Sequence, residues 1–288
     1  MKKFYRYIES IIFKTIRLIE KVKNTKFQQS INSAIYKLNK NNKMLLTRTG
    51  SIKYFLITGD NIAKYLYINN TWNFHVLEKA LKILNKDYSK STLINIGAHI
   101  GSTCIPAVKK KKFKNAIAFE PLRKNFKLLE TNINLNFLED RIEAYNLALS
   151  SKKRKLFIKQ FDVNSGDCRI LNKKQKKSQI INCEKLDNFT AKFRKKNSLI
   201  FMYAQGHEPE IFLGARKTIQ RKIPIITLFI PSLFNDAWLK KLSFLFTHYN
   251  YFYDLKKNEK KKLFKPQEII KLHSEYIANN NYTDILIV

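Results

Sequence analysis

Three short segments of the 288-residue chain combine residue types that could bind and activate a small molecule. The first is INIGAHIG (94–101), in which Gly97 and Gly101 allow a tight turn and a close approach to a ligand because they carry no Cβ. The second contains Glu120, which follows Gly97 by 23 positions, close to the interval at which an acidic side chain accepts hydrogen bonds from ribose hydroxyls. The third is QGHE (205–208), where a histidine beside a glutamate could position or deprotonate a substrate group.

These segments follow short apolar runs that predict buried parallel strands. The runs are 93–96, 116–119, 142–147, 199–203 and 223–229, and helical patterns separate them at 103–111, 123–134, 210–220 and 234–245. Strands that alternate with helices at this spacing predict an α/β fold with an open, doubly wound, mostly parallel sheet. Because ligands bind at the carboxyl ends of such strands, we expect the three segments at one edge of the sheet.

The remaining sequence predicts elements that surround this sheet. Strand-like pieces at 44–47, 54–58 and 64–68 predict a small hairpin or meander, and the stretches 73–84, 266–278 and 283–288 predict two helices and a last strand. Residues 150–187 form a Lys-rich, turn-forming insertion that could border a substrate site, where Asp167 and Arg169 either build a turn or hold a substrate. We therefore divide the chain into a basic helical extension, 1–43, and a domain, 44–288, with its core at 91–288.

The net charge is high, because 55 Lys and Arg stand against 22 Asp and Glu, which gives +33. One interpretation is a polyanionic partner, and the other is compositional drift at tolerant surface positions, which the small share of Arg favours. The three cysteines share no spacing typical of a zinc site, so we expect no metal and a reducing, cytoplasmic environment.

The N-terminal residues 1–24 alternate apolar and basic positions at helical spacing, which predicts a basic amphipathic helix. Such a helix either packs on the rest of the protein or lies on an anionic inner membrane surface. No apolar run reaches the roughly 20 residues that a membrane span requires.

Seven segments match the motifs of one known protein family in their order along the chain: INIGAHIGS (94–102), AFEP (118–121), KLLETNINLN (127–136), NLALS (146–150), NSGDCRI (164–170), QGHEPEIFLGA (205–215) and YTDILIV (282–288). With them, the sequence from about residue 44 onward resembles the FkbM-type methyltransferases, which use S-adenosylmethionine. The resemblance implies a Rossmann-like class I methyltransferase fold and O-methylation of a hydroxyl on a glycan, a lipid-linked sugar or a secondary metabolite.

The same resemblance implies roles for individual residues. Gly97 and Gly101 would face the methionine part of the cofactor, Glu120 would hold its ribose, and Asn146 would lie near its adenine. Two further residues, Asn95 and His99, belong to the same cofactor turn.

Glu208 would occupy the family's acidic position beside the transferring methyl group, with His207 next to it as a second catalytic candidate. Asp167 and Arg169 are the candidate substrate contacts. A sulfonium methyl is already activated, so the protein has mainly to align an oxygen with it and to remove one proton.

The chain departs from the family pattern at four positions that are usually acidic, where it has Asn95, Tyr203, Gln205 and Leu228. Asparagine and glutamine retain hydrogen bonds but not the charge, whereas Tyr203 and Leu228 cannot act as bases at neutral pH. Two hypotheses follow, namely an active O-methyltransferase and a non-catalytic, methyltransferase-like binding protein. An RNA methyltransferase is disfavoured because no RNA-binding motif accompanies the charge.

Overall fold

The structure is a computed structural model that describes residues 25–39, 43–161, 164–193, 198–233, 235–257, 261–279 and 281–288. In chain order its elements are α1 (Thr25–Leu38), β1 (Met44–Thr49), β2 (Ile52–Ile57), α2 (Asn61–Asn69), α3 (Phe74–Leu84), β3 (Thr92–Ile96), α4 (Cys104–Lys109), β4 (Asn115–Phe119), α5 (Arg123–Leu135), β5 (Ile142–Tyr145), β6 (Ala148–Leu149), β7 (Arg154–Phe161), β8 (Asn164–Leu171), β9 (Ser178–Glu184), β10 (Ser198–Met202), α6 (Glu208–Leu213), α7 (Arg216–Ile219), β11 (Ile225–Phe229), α8 (Asp236–Leu242), β12 (Tyr251–Asp254), β13 (Lys261–Leu263), α9 (Pro266–Ile277) and β14 (Thr283–Ile287). Short 3₁₀ helices lie at Leu186–Lys192, Pro231–Leu233 and Ser243–Thr247. None of the helices in these ranges has both the length and the apolar character needed to cross a bilayer.

The centre of the fold is an eight-stranded sheet with the strand order β13-β12-β14-β11-β10-β3-β4-β5. The strands from β5 to β11 pair in parallel, and β14 is antiparallel to both of its neighbours. The chain continues from β3 outward to β4 and β5 and then returns to β10 on the other side of β3. The strand order therefore reverses between β3 and β10, and the predicted α/β fold with a doubly wound, mostly parallel sheet is confirmed.

The apolar runs form the central strands because both faces of the sheet are covered. Every residue of β10 and β11 is buried. Alternate residues of β10 enter two different apolar clusters, with Phe201 in one and Ile200 and Met202 in the other. This arrangement explains why the central strands are continuous hydrophobic runs rather than alternating ones.

One predicted strand, 64–68, is wrong, because these residues belong to α2. Asp60 caps this helix, since its Oδ1 accepts a hydrogen bond from the Ala63 backbone N–H at 2.8 Å. The buried positions Ile62, Ala63 and Leu66 then form one helical face. The cap at Asp60 thus decides between a helix and a strand for a short apolar run that is compatible with both.

The hairpin of β1 and β2 is attached to the large sheet through two asparagines, Asn132 of α5 and Asn136, which caps the C-terminus of this helix. The side-chain amide of Asn136 accepts from Lys53 N at 2.9 Å and donates to Lys53 O at 2.7 Å. The amide of Asn132 accepts from Phe55 N at 2.6 Å, donates to Phe55 O at 3.4 Å, and also donates to Ile100 O at 3.0 Å. These amides therefore bond to β2 as a neighbouring strand would.

The region 150–187, interpreted from the sequence as a turn-forming insertion, contains three regular strands. Together with β6 they form a second sheet of order β6-β9-β7-β8. Its inner side chains, including Leu156, Ile158 and Ile181, form an apolar cluster of their own. The insertion is therefore a small folded layer rather than an irregular loop.

Two predicted helices are interrupted in the structure. The predicted helix at 210–220 is divided into α6 and α7 at Gly214, where a Cβ would lie 2.0 Å from the backbone oxygen of Ser150. The predicted helix at 234–245 becomes α8 followed by a 3₁₀ turn. The amphipathic helix predicted at 1–24, and the membrane contact assigned to it, lie outside the described residues.

Candidate functional site

A cavity of about 570 Å³ lies at the carboxyl ends of β3, β4, β10 and β11. Its floor is formed by the residues that follow these strands, including Gly97, Glu120 and Tyr203. The inner side of β8 and the α2–α3 connection form the other walls. Its position next to the reversal in strand order is where open α/β sheets bind ligands.

The glycine turn after β3 is shaped by close backbone packing. Gly97 has φ 74°, and a Cβ on it would lie 2.1 Å from the carbonyl oxygen of Tyr203. Gly97 therefore allows the loops after β3 and β10 to touch at the edge of the cavity. Gly101 has φ 90° and is not part of the cavity wall, since a Cβ there would meet the buried side chains of Ile105 and Leu129.

Glu120 is a buried carboxylate in the cavity wall, 5% exposed. Its Oε2 accepts from the backbone N–H of His99 at 2.9 Å and its Oε1 from that of Leu122 at 3.0 Å. Burial raises the pKa of Glu120 to about 7, against these hydrogen bonds and one from the Asn125 side chain, which lower it. Each carboxylate oxygen accepts more than one hydrogen bond, so Glu120 can still receive hydroxyl donors from a ligand.

Three other predicted cofactor residues lie in or behind the same wall. His99 lines the cavity, and burial lowers its pKa to about 4, so its imidazole is neutral at physiological pH. Asn146 is not in the wall, but its Nδ2 supports the turn there by donating to Glu120 O at 2.9 Å. Asn95 is buried behind the wall, where its Nδ2 donates to Phe201 O at 3.4 Å and its Oδ1 has no partner among the described residues.

Glu208, the first catalytic candidate, lies beneath the loop that follows β10. It is 1% exposed, and its two oxygens accept from Ala204 N at 2.9 Å and from Gly206 N at 2.8 Å. Burial raises its pKa to about 7. Its carboxylate holds the loop residues in place and does not line the cavity, so its position gives no support to a direct catalytic role.

His207, the second candidate, also faces away from the cavity. Its Nε2 lies 3.1 Å from Ser150 Oγ, which also accepts from Arg154 at 3.2 Å. Arg154 in turn bonds to Glu210 at 3.2 Å, and burial lowers the pKa of His207 to about 4. This polar cluster fixes α6 against the segment before β7, so the structure does not bring His207 to the cavity.

A carboxylate that was not predicted to belong to the site, Asp284 at the start of β14, lines the cavity. It faces Leu228 across the strand pair, and Tyr203 Oη donates a hydrogen bond to its Oδ1. Burial raises the pKa of Asp284, and the hydrogen bond from Tyr203 and the nearby His75 lower it. Tyr203 and Leu228, two of the positions that depart from the family pattern, therefore both lie next to Asp284, a carboxylate from another strand.

The end of the cavity nearest Asp284 is rich in aromatic side chains. Tyr65 and Trp72 pack edge to face, with ring centroids 5.0 Å apart, and Tyr282 stands near them in the wall. Tyr65 is 45% exposed and Tyr282 52% exposed, so their rings are open to an entering molecule. His75 adds a polar group at this end.

The two predicted substrate contacts lie on β8. Arg169 is exposed and lines the cavity, together with the inward residues Gly166, Cys168 and Ile170. Asp167 lies on the same strand, but its side chain is outside the described residues. Gln205, another departure from the family pattern, lines the cavity in a left-handed turn with φ 51°.

Of the predicted site residues, the structure places Gly97, His99, Glu120 and Arg169 in the cavity wall. Asp284 and the aromatic end of the cavity were not predicted from the sequence. A signal for Asp284 existed, because it is a charged residue inside the apolar strand YTDILIV. Tyr65 belongs to α2, Trp72 lies in the α2–α3 connection, and Tyr282 immediately precedes β14. No local pattern predicts that these segments meet at one end of the cavity.

The chain is similar to known methyltransferases in sequence and in fold. A family model described as "Methyltransferase FkbM domain" matches residues 95–264. The chain is similar to the solved structure of methyltransferase FkbM from Methylobacillus flagellatus, with 14% identity, a TM-score of 0.46, and coverage of 89% of this chain and 59% of that one. This chain thus spans less than two thirds of that relative's length.

Two more solved structures are similar at this level. TYW2 from M. jannaschii, in complex with AdoMet, has 14% identity, a TM-score of 0.41 and coverage of 85% of this chain and 84% of that one. Precorrin-6y C5,15-methyltransferase from Geobacter metallireducens has 11% identity, a TM-score of 0.38 and coverage of 74% and 86%. No curated protein matches the chain.

Proposed function

The chain belongs to the FkbM methyltransferase family, whose model matches more than half of its length, and on this basis we propose that it transfers a methyl group from S-adenosylmethionine to a sugar hydroxyl. The observation that carries the proposal is the pairing of two carboxylates in one cavity. Glu120 stands at the end where a nucleoside is expected, and Asp284 stands at the aromatic end.

The residues present fit S-adenosylmethionine. The cavity volume of about 570 Å³ is within the range of small-molecule sites. The carboxylate of Glu120 would accept hydrogen bonds from the ribose hydroxyls, and the turn at Gly97 would lie against the methionine part. The hydroxyls of Ser102 and Thr103 line the same wall and offer further polar contacts. When bound, the cofactor supplies an electrophilic methyl group.

Asp284 is the group best placed to remove a proton from the acceptor. Its Oδ1 is held by the Tyr203 hydroxyl, so Oδ2 would accept the proton of the substrate hydroxyl. Its raised pKa brings it closer to neutral pH, where a general base works efficiently. In this proposal Asp284 replaces the carboxylate that the family usually places at the position of Leu228, and Glu208 only positions the loop beside it.

A sugar is the acceptor that the aromatic end favours. A pyranose ring has an apolar C–H face, which would pack on the rings of Trp72, Tyr65 or Tyr282, and a polar edge, which would reach Asp284 and His75. A flat apolar metabolite would use the rings but leave this polar edge unpaired, at a cost in affinity.

The experiment compares cofactor binding with turnover in the same variants. Wild-type protein is incubated with S-adenosylmethionine and a panel of methyl hexosides and 6-deoxyhexosides, and the release of S-adenosylhomocysteine is measured. Asp284→Asn should reduce kcat by about a hundredfold or more while its affinity for S-adenosylhomocysteine stays within about twofold.

Tyr203→Phe is the matched variant, since it keeps the ring packing on Phe201 at a 4.8 Å centroid distance but removes the hydroxyl. It should lower kcat less than Asp284→Asn and shift the pH profile. Full turnover by Asp284→Asn would refute its role as the base. Cofactor binding without any product from the panel would favour the non-catalytic alternative.

A further inference from the structure

The outer face of the small sheet β6-β9-β7-β8 has a pattern that the proposed chemistry does not use. Its strands pair so that Phe157 lies opposite both Leu171 and Ile180, which makes one apolar row across three strands. Ile180 is 65% exposed, and the other two side chains are half-buried.

Cationic residues surround this apolar row. On β7 the next outward positions on either side of Phe157 are Lys155 and Lys159, and Lys159 lies opposite Arg169 of β8. Over residues 152–184 the sequence has ten Lys and Arg against three acidic residues, Asp162, Asp167 and Glu184. The segment that carries the apolar row is therefore strongly cationic.

The connection from β8 to β9 adds four more lysines to the same side. Because β8 and β9 pair with opposite edges of β7, residues 172–177 must cross β7. All six residues of this connection are exposed, so it crosses on the outer side. Its lysines are Lys173, Lys174, Lys176 and Lys177. We call this crossing segment, together with the outward residues of β7–β9, the basic face.

We propose that the basic face binds the surface of an anionic lipid bilayer. Lysines attract acidic headgroups while their alkyl chains lie along apolar surface, and Ile180 and the half-buried row would enter the boundary between headgroups and acyl chains. A nucleic acid would match the charge equally well, but it has no apolar layer that could bury the exposed aliphatic side chain of Ile180. In addition, this face carries one arginine among its cations.

This surface is connected to the proposed active site through β8. On β8, Arg169 and Leu171 belong to the basic face, and Arg169 also borders the cavity, whose wall includes the inward residues Gly166, Cys168 and Ile170. A bilayer bound to the basic face would thus be separated from the acceptor end by the thickness of one sheet. The inference does not depend on methyl transfer, because binding to vesicles can be measured without any substrate.

The experiment measures co-sedimentation of the full chain with vesicles of phosphatidylcholine alone or with 30% phosphatidylglycerol, at about 150 mM NaCl. Wild-type protein should bind the anionic vesicles and not the neutral ones. The variant with Lys173, Lys174, Lys176 and Lys177 changed to Gln should lose about a hundredfold or more in vesicle affinity. Ile180→Ser, which keeps the charge, should lose about fivefold.

A matched control removes four exposed lysines from the opposite, amino-terminal edge of the large sheet by changing Lys82, Lys86, Lys90 and Lys112 to Gln. It has the same net charge as the first variant and should retain binding within about threefold. S-adenosylhomocysteine binding and melting temperature should be unchanged in all variants, which separates this inference from the proposed function. Equal losses in both quadruple variants, unchanged binding in the first, or tighter binding to poly(U) than to anionic vesicles would overturn it.

Discussion

The affinity for the cofactor should depend on pH through Glu120. The ribose hydroxyls need the ionised carboxylate as acceptor, whereas burial raises the pKa of Glu120 to about 7 in the cofactor-free protein. Protonation therefore competes with binding as the pH falls. The ionised fraction is about nine tenths at pH 8 and about one tenth at pH 6, so the dissociation constant for S-adenosylhomocysteine should rise about tenfold between them.

The groups around Glu120 allow a clean test. Leu122 and His99 contribute backbone N–H groups, which do not titrate, and the imidazole of His99, with a pKa of about 4, stays neutral from pH 6 to pH 8. Glu208 also has a pKa of about 7, but it lies outside the cavity wall, so Glu208→Gln serves as the control that should keep the pH dependence.

Calorimetric titration with S-adenosylhomocysteine at pH 6, 7 and 8 would measure the effect. Glu120→Gln should bind about 10 to 100 times more weakly than wild type at pH 8, because a charge-assisted hydrogen bond is lost, and should show no pH dependence over this range. A wild-type affinity that is constant from pH 8 to pH 6, or a slope that survives in Glu120→Gln, would refute the reasoning.

Three further predictions concern the loops and the hairpin. Gly97→Ala should destabilise the fold by on the order of 3 kcal/mol and abolish cofactor binding, as measured by urea unfolding and calorimetry, because its Cβ would lie 2.1 Å from the carbonyl oxygen of Tyr203. Burial raises the pKa of Glu208 above its unfolded value, so the folded protein should lose stability as the pH rises from 4.5 to about 7. Glu208→Gln should flatten this part of the profile of melting temperature against pH. An unchanged profile would contradict the raised pKa of Glu208. Asn132→Ala should cost about 1–3 kcal/mol in urea unfolding because it leaves the Phe55 backbone groups without their amide partner, whereas an effect below about 0.5 kcal/mol would mean that water replaces the amide.

The sequence predicted the central sheet well because its signal is local. Each buried parallel strand is a short apolar run, and the glycine turn at Gly97 and the carboxylate Glu120 follow two of these runs directly. Such residues can be assigned to the sheet edge without knowledge of distant contacts. Arg169 follows no such apolar run, and it was predicted only because turn-forming residues precede it in the sequence.

Two features of the cavity were not predicted, for different physical reasons. The sequence shows that Glu208 and His207 follow a strand, but it does not show whether their side chains point into the cavity. In the structure they point away from it, since Glu208 accepts hydrogen bonds from backbone N–H groups of the loop and His207 lies next to Ser150. Asp284 reaches the cavity because β14 runs antiparallel beside β11, a pairing between residues far apart in the chain. Long-range register of this kind leaves no mark in a single sequence.

The asparagine amides at the C-terminal end of α5 also affect how the protein behaves toward other copies of itself. An exposed strand edge can pair with a strand from another molecule and so begin a chain of such pairings. On β2, the backbone groups of Lys53 and Phe55 are already bonded to Asn136 and Asn132. A helix provides no second edge, so pairing cannot continue past α5, and β1 is left as the outer strand of the hairpin. Fibril growth from this hairpin is thereby blocked on one side.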